Sequence, residues 1–283
     1  MRYLVPVFAL ELAGCQDIER VAIGAQAQAD RVANAHGFAA RRYAGGPFEL
    51  LGYERFARAA VPVLTVYLES DGYIRIAPTR ISPDPTPLRP LTLEMAARDD
   101  SASVLYLARP CQYQSPERLK ACDPLYWDVR RFSPEVVEAL AQALDAAKAR
   151  ARAERLVLIG YSGGGTLAAL LAARRSDVAG FVTLAAPVDV DAWVRHHNIS
   201  PVTGSLDAAA LSRLARVRQI HLAGANDWQV PPHLIDSYLR RLPDRAQARA
   251  ATIPAQDHDC CWVAAWPDLL AREIRPWLGA ASR

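Results

Sequence analysis

Arg155-Leu-Val-Leu-Ile-Gly-Tyr-Ser162-Gly-Gly-Gly-Thr-Leu-Ala-Ala-Leu-Leu-Ala-Ala-Arg174 is the stretch that decides the fold. Arg155 to Ile159 is an apolar strand-like run. Thr166 to Arg175 is rich in alanine and leucine and predicts a helix. Between them lies Gly160-Tyr161-Ser162-Gly163-Gly164, a G-x-S-x-G pattern in a strand–turn–helix setting. Such a turn must be sharp enough to lift a serine hydroxyl above the sheet edge. Small residues two before and two after the serine let strand and helix cross closely.

Downstream residues supply partners in a definite order. The strand-like run Gln219 to Ala223 ends in Gly224-Ala-Asn-Asp227-Trp-Gln-Val-Pro231-Pro232, which places an acid after a strand and before a Pro-started helix. A further strand, Arg249 to Ile253, leads into Gln256-Asp257-His258-Asp259. The spacings, 227 − 162 = 65 and 258 − 227 = 31 residues, leave room for βα units between the three members. Asp189, after the strand Phe181 to Ala185, is a rival acid.

In these motifs, over roughly residues 48 to 278, the chain resembles the α/β-hydrolase superfamily. The resemblance implies a mostly parallel central sheet with helices on both faces. It also implies a triad of Ser162, Asp227 and His258. A serine hydroxyl is a poor nucleophile at its own pKa and needs an adjacent base. His258 would take the proton and return it to the leaving group, while Asp227 holds one imidazole tautomer. The oxyanion would be met by two backbone N–H groups. One is expected from Gly163. The other is expected from the turn after the β-branched strand Val61 to Leu68, where Glu69-Ser70-Asp71-Gly72 follows. Many family members carry His-Gly at this turn. With Glu69-Ser70 in that place, Asp71 is the expected donor, and Ser70 and Gly72 are the alternatives. Two carboxylates beside a developing oxyanion would oppose it unless turned away or neutralised. Arg75, Arg80, Arg109 and Arg131 are the candidate partners.

The N-terminus carries a second signal. Met1-Arg2, an apolar run from Tyr3 to Leu10, and Leu12-Ala13-Gly14-Cys15 resemble a bacterial lipoprotein signal. That resemblance implies removal of residues 1–14, acylation of Cys15 and a membrane contact through the lipid. Residues 15–36 then form a tether or helix, and 37–283 the hydrolase domain. Glu11 is unusual in a signal core, and a hydrophobic N-terminal strand in a cytoplasmic protein is the alternative. Removing Cys15 leaves Cys111, Cys122, Cys260 and Cys261, an even set suited to an oxidising compartment such as the periplasm. Cys111 and Cys122 bracket one loop and are expected to pair. Cys260-Cys261, beside His258, then have no other partner, which leaves a vicinal bridge or two packed thiols.

Composition bounds what remains. A net charge of +3, with arginines spread along the chain, gives no nucleic-acid footprint. No Cys-x-x-Cys is present, and His196-His197 lack carboxylate or cysteine spacing, so no metal and no cofactor is expected. Phe38 to Arg58 reads as a hairpin turning at Gly45-Gly46-Pro47, and Pro78 to Pro90 as a loop over the site. Leu91 to Arg98 and the Ser133-Pro134-led run to Arg152 read as helices, and Pro267 to Leu278 as the closing helix. Pro187 to Ser205 reads as irregular and too short for a multi-helix lid. The expected reaction is hydrolysis of an acyl bond in a small-molecule or acylated substrate, with carboxylic ester ahead of thioester or amide. An acyltransferase would use the same residues. A non-catalytic scaffold with this fold is the rival from another class.

Overall fold

The computed structural model describes residues 24–279. The expected signal and Cys15 lie outside the described residues. Eight strands form one sheet in the order β1 (Ala39–Gly45), β2 (Phe48–Arg55), β6 (Val104–Leu107), β3 (Val61–Leu68), β7 (Ala153–Tyr161), β8 (Val178–Leu184), β9 (Arg218–Gly224), β10 (Ala248–Ile253). β1 and β2 form the expected hairpin, and β2 also runs antiparallel to β6. From β6 onward every pairing is parallel. A two-stranded ribbon, β4 (Arg75–Ala77) with β5 (Arg80–Ile81), stands apart.

Strand side chains alternate between two cores, as a sheet covered on both faces requires. Leu64, Val66 and Leu68 of β3 and Leu156 and Leu158 of β7 enter one core. Val63 and Tyr67, and Val157, Ile159 and Tyr161, enter the other. The first core is closed by α4 (Pro134–Ala151), α5 (Gly163–Arg174), α7 (Ala208–Leu214) and Tyr238 of α8 (Pro232–Arg241). The second is closed by α1 (residues 24–35), α2 (Leu91–Ala97) and α9 (Trp262–Leu269). In α1, Ala29 and Ala33 pack fully buried in this core. Trp262 and Trp266 are packing groups, fully buried, and Trp266 donates to the Tyr67 hydroxyl at 2.9 Å. Among the described residues no helix is long and apolar enough to cross a membrane.

Three elements differ from expectation. The 187–205 segment is not irregular throughout, because α6 (Val190–His197) forms there. Asp189 caps it by accepting from the Ala192 N–H at 3.1 Å. α5 starts at Gly163 rather than Thr166. Three consecutive glycines argue against a helix by propensity, but the packing described below forbids a Cβ there. The closing helix starts at Trp262, carries Pro267 inside it, and continues through a π turn (Leu270–Ile274) into α10 (Arg275–Leu278).

After β6, α3 (Pro116–Lys120) lies in the loop that Cys111 and Cys122 close with a bridge, Cα–Cα 6.0 Å, and a 3₁₀ turn (Pro124–Trp127) follows it. A loop of this length is stabilised by about 2–3 kcal/mol through restriction of the unfolded chain. Cys260 and Cys261 are joined as a vicinal bridge.

Candidate active site

β7 ends at Tyr161 and α5 begins at Gly163, so Ser162 alone makes the turn, at φ 51° and ψ −126°. This backbone is strained for a non-glycine residue. It is over-determined by its surroundings. The Ser162 N–H donates to Leu184 O at 2.8 Å, and its carbonyl accepts from Gly165 N–H at 2.9 Å. A Cβ at Gly160 would collide with the Gly164 carbonyl, and one at Gly164 would collide with Leu68 O and lie 2.6 Å from Glu69 O. Both flanking glycines are therefore demanded by the crossing of helix and strand.

His258 and Asp227 arrive from the ends of β10 and β9. His258 Nε2 is 3.1 Å from Ser162 Oγ, and His258 Nδ1 is 2.9 Å from Asp227 Oδ2. The Asp227 carboxylate is fully buried, and its Oδ1 accepts from Gln229 N–H at 2.9 Å and Val230 N–H at 2.8 Å. Those bonds fix its plane and leave Oδ2 for the histidine. The His258 carbonyl accepts from Tyr161 Oη at 2.9 Å and Trp262 Nε1 at 3.0 Å. In the tautomer with the proton on Nδ1, donated to Asp227, Nε2 would accept from Ser162 Oγ.

Opposite the elbow, the turn after β3 is held by side chains. Glu69 is buried. Its carboxylate accepts from Ser70 N–H at 2.7 Å, Thr92 Oγ1 at 2.7 Å and Tyr106 Oη at 2.8 Å. Burial pushes this carboxyl above its ordinary value, against those bonds. The Gly72 N–H turns to Ser70 Oγ at 3.3 Å. Of the three candidate donors, only the Asp71 N–H finds no acceptor among the described residues. The Gly163 N–H heads α5, where first-turn donors lack intrahelical partners. Gly72 has φ +74°, and a Cβ there would strike Pro85 O and lie 2.8 Å from Gln112 Nε2, so only glycine fits.

Asp71 is paired with Arg109 and, at 3.4 Å, with Arg131 Nε. Burial alone would raise its carboxyl pKa. The Arg131 and Arg109 charges and the Arg109 hydrogen bond outweigh burial and hold it below the ordinary value. Arg75 instead pairs with Asp128 at 2.6 Å, and Arg80 is exposed. The rival acid Asp189 reaches no catalytic group. It caps α6, pairs with Arg241 at 2.9 Å and accepts from Ser237 Oγ at 2.8 Å. His196 meets His197 and His233 edge to face, and among the described residues no cluster of His, Cys, Asp and Glu could hold a metal.

Ser162 and His258 open into a cavity of 430 Å³. Asp71, Tyr73, Ile74, Pro87 and Leu88 line one side, and Pro187, Trp193 and Val230 the other. Of the 78–90 segment, which includes β5, only Pro87, Leu88 and Arg89 line the cavity, and α6 contributes only Trp193. No inserted domain covers the mouth among the described residues.

Sequence reasoning did not single out Gln112. Its Nε2 donates to Ser70 O at 3.1 Å and Asp71 O at 3.3 Å, and its Oε1 accepts from Arg109 N–H at 3.1 Å. Nothing local to Arg109-Pro-Cys-Gln112 advertises this role. Its position just beyond β6, beside β3 in the sheet, was the available signal.

No family model and no curated protein sequence matches this chain. Solved structures do. A lidless α/β serine hydrolase from Xanthomonas campestris matches with TM-score 0.55 and 15% identity, covering 86% of this chain and 96% of that one. A dienelactone hydrolase from Anabaena variabilis matches with TM-score 0.57 and 17% identity, over 83% and 94%. A puromycin hydrolase matches with TM-score 0.58 and 16% identity. There the match covers 85% of this chain, which spans only 38% of that longer protein. At these identities the likeness establishes the fold alone. The chain has the α/β-hydrolase fold.

Proposed function

We propose that the protein is a serine hydrolase that cleaves an acyl bond, with carboxylic ester the favoured substrate class, through an acyl-enzyme. One observation carries the reading: the chain Ser162 Oγ, His258 Nε2, His258 Nδ1, Asp227 Oδ2, with links of 3.1 Å and 2.9 Å, beside an open cavity. Ser162 Oγ attacks the acyl carbon as its proton passes to His258 Nε2. The tetrahedral oxygen, now negative, takes hydrogen bonds from the Gly163 and Asp71 N–H groups. Collapse expels the leaving group, which accepts the proton from His258. Water, deprotonated by the same nitrogen, then releases the acid and restores Ser162. Preorganised N–H donors are worth about 3 kcal/mol each in such reactions. The apolar cavity walls suit a hydrophobic acyl or alcohol group.

The test is labelling with a serine-directed fluorophosphonate, followed by a panel of esters of increasing chain length. Labelling of the wild type and none of Ser162→Ala is the expected result. A scaffold with this fold would ignore the reagent.

We further propose that the protein is exported and lipid-anchored at Cys15. The lipoprotein-like N-terminus, the even set of four remaining cysteines and the Cys111–Cys122 bridge support this. Mass spectrometry of protein expressed in a Gram-negative host should find a chain starting at acylated Cys15. A soluble chain beginning at Met1 would overturn it.

A further inference from the structure

An aspartate is an odd residue for an oxyanion turn. Its N–H is useful there, but its carboxylate carries the same sign as the charge that develops. In this protein the carboxylate cannot be far from that charge. A Cβ built on Gly163 would collide with Asp71 Oδ1 and lie 2.8 Å from Arg109 Nη1. The Asp71 carboxylate and the Arg109 guanidinium therefore both lie against the residue whose N–H faces the oxyanion. Asp71 is 17% exposed and lines the cavity, whereas the side chains of Arg109 and Arg131 are 5% and 4% exposed. A charge so little hydrated acts at a lower effective dielectric than one in water, so its sign matters at this range.

Two cations oppose the one anion. Arg109 forks between the Asp71 carboxylate and the Arg131 carbonyl. Arg131 sets its Nε 3.4 Å from Asp71 Oδ2 and stacks on Trp193, 5.2 Å from the ring centroid. Both guanidiniums also lie 5.5 Å from the Phe132 ring. The other carboxylate of the turn, Glu69, is satisfied by Ser70, Thr92 and Tyr106 and forms no ion pair with an arginine among the described residues. Arg131 Nε has no hydrogen-bond partner among the described residues, so its pairing with Asp71 is mainly one of charge.

We propose that Arg109 and Arg131 are positioning residues for the oxyanion site: they fix the Asp71 carboxylate and outweigh its charge, so that this turn can use an aspartate N–H as a donor. The proposal rests on the serine-hydrolase reading. It differs from a plain structural salt bridge in one consequence. If the guanidiniums serve to cancel the carboxylate, removing the carboxylate removes the need for them.

Acylation and steady-state kinetics on the full-length protein test this. Arg109→Gln should lower kcat by about a hundredfold, the scale of a lost oxyanion interaction, with KM changed much less. The double variant Asp71→Asn/Arg109→Gln keeps the backbone donor and loses the opposing charge. It should regain kcat to within about tenfold of wild type. A structural bridge predicts the reverse, because the double variant lacks both partners. A double variant no faster than Arg109→Gln, or an Arg109→Gln variant with undiminished kcat, overturns the proposal. Should Arg109→Gln not fold by circular dichroism, Arg131→Gln with and without Asp71→Asn poses the same question with the same two outcomes. Fluorophosphonate labelling of wild type separates the levels. If wild type does not label, the hydrolase reading fails. If it labels and the double variant is not restored, only this inference fails.

Discussion

On the nucleophile wall of the cavity, Ser162, Asp227 and His258 leave the ends of β7, β9 and β10; backbone groups fix Ser162 and Asp227, and His258 is held by Asp227 and, at its carbonyl, by the adjacent Tyr161 and Trp262 side chains. Leu184 O and Gly165 N–H hold Ser162, and Gln229 and Val230 N–H hold Asp227. On the oxyanion wall, the turn from Glu69 to Gly72 is held by side chains from distant parts of the chain: Thr92, Tyr106, Arg109, Gln112 and Arg131. The first wall is a property of strand ends, the second of a buried polar network. A strand-end site tolerates change in its surroundings as long as the sheet stands. A network site fails piecemeal, because each lost member leaves its neighbours unsatisfied.

The sharpest contrast within the nucleophile wall is between two buried aspartates. Asp227→Asn should lower kcat by about four orders of magnitude, because an amide no longer imposes the required histidine tautomer. Asp189→Asn, which touches only the α6 cap, Ser237 and Arg241, should leave kcat unchanged and cost about 1 kcal/mol of stability, because asparagine keeps the cap and Arg241 loses its charged partner. Steady-state kinetics beside urea unfolding check both. A kinetic loss confined to Asp189→Asn would move the acid to the end of β8.

On the oxyanion wall, Gln112→Ala should lower kcat by roughly ten- to a hundredfold, with the triad geometry intact. It releases the Ser70 and Asp71 carbonyls and lets the turn rotate. Labelling by fluorophosphonate should slow by a similar factor but go to completion. If labelling is unaffected, the network does not set the oxyanion donors, and the two walls are not different in kind.

The smallest effect concerns the sheet beneath the nucleophile wall. His221 of β9, the strand that leads to Asp227, is fully buried between Thr183 Oγ1 at 2.8 Å and Gln219 Oε1 at 3.1 Å. Burial lowers its pKa from 6.5 to about 3. The unfolded chain therefore takes up this proton as pH falls below 6.5, and the folded protein does not until about 3. The stabilisation is complete above the unfolded value and is lost progressively down to the folded one. Urea midpoints should fall between pH 7 and 4, and fall less in His221→Gln. Equal slopes in the two proteins would refute this origin.

The same contrast explains what could be read from the chain. The elbow was legible because Gly160, Ser162 and Gly164 obey steric rules within five residues. The order of Ser162, Asp227 and His258 was legible because each follows an apolar strand. The choice of Asp71 over Ser70 and Gly72 was open in sequence, since it depends on the Glu69 and Ser70 side chains occupying the other two N–H groups. Four arginines were candidates to neutralise Asp71. Only the parallel pairing of β3 with β6 brings Arg109 beside it. The α6 helix was missed because eight residues carry too short a pattern. Asp189 at the cap was its one clear signal.

The central question is whether Ser162 is a nucleophile activated by His258 and Asp227. Intact-mass spectrometry of the purified protein after fluorophosphonate treatment, with peptide mapping, measures this directly. One adduct per chain is predicted, on the peptide that carries Ser162, absent in Ser162→Ala and strongly slowed in Asp227→Asn. No adduct on folded wild-type protein, or an equal adduct on Ser162→Ala, would contradict it.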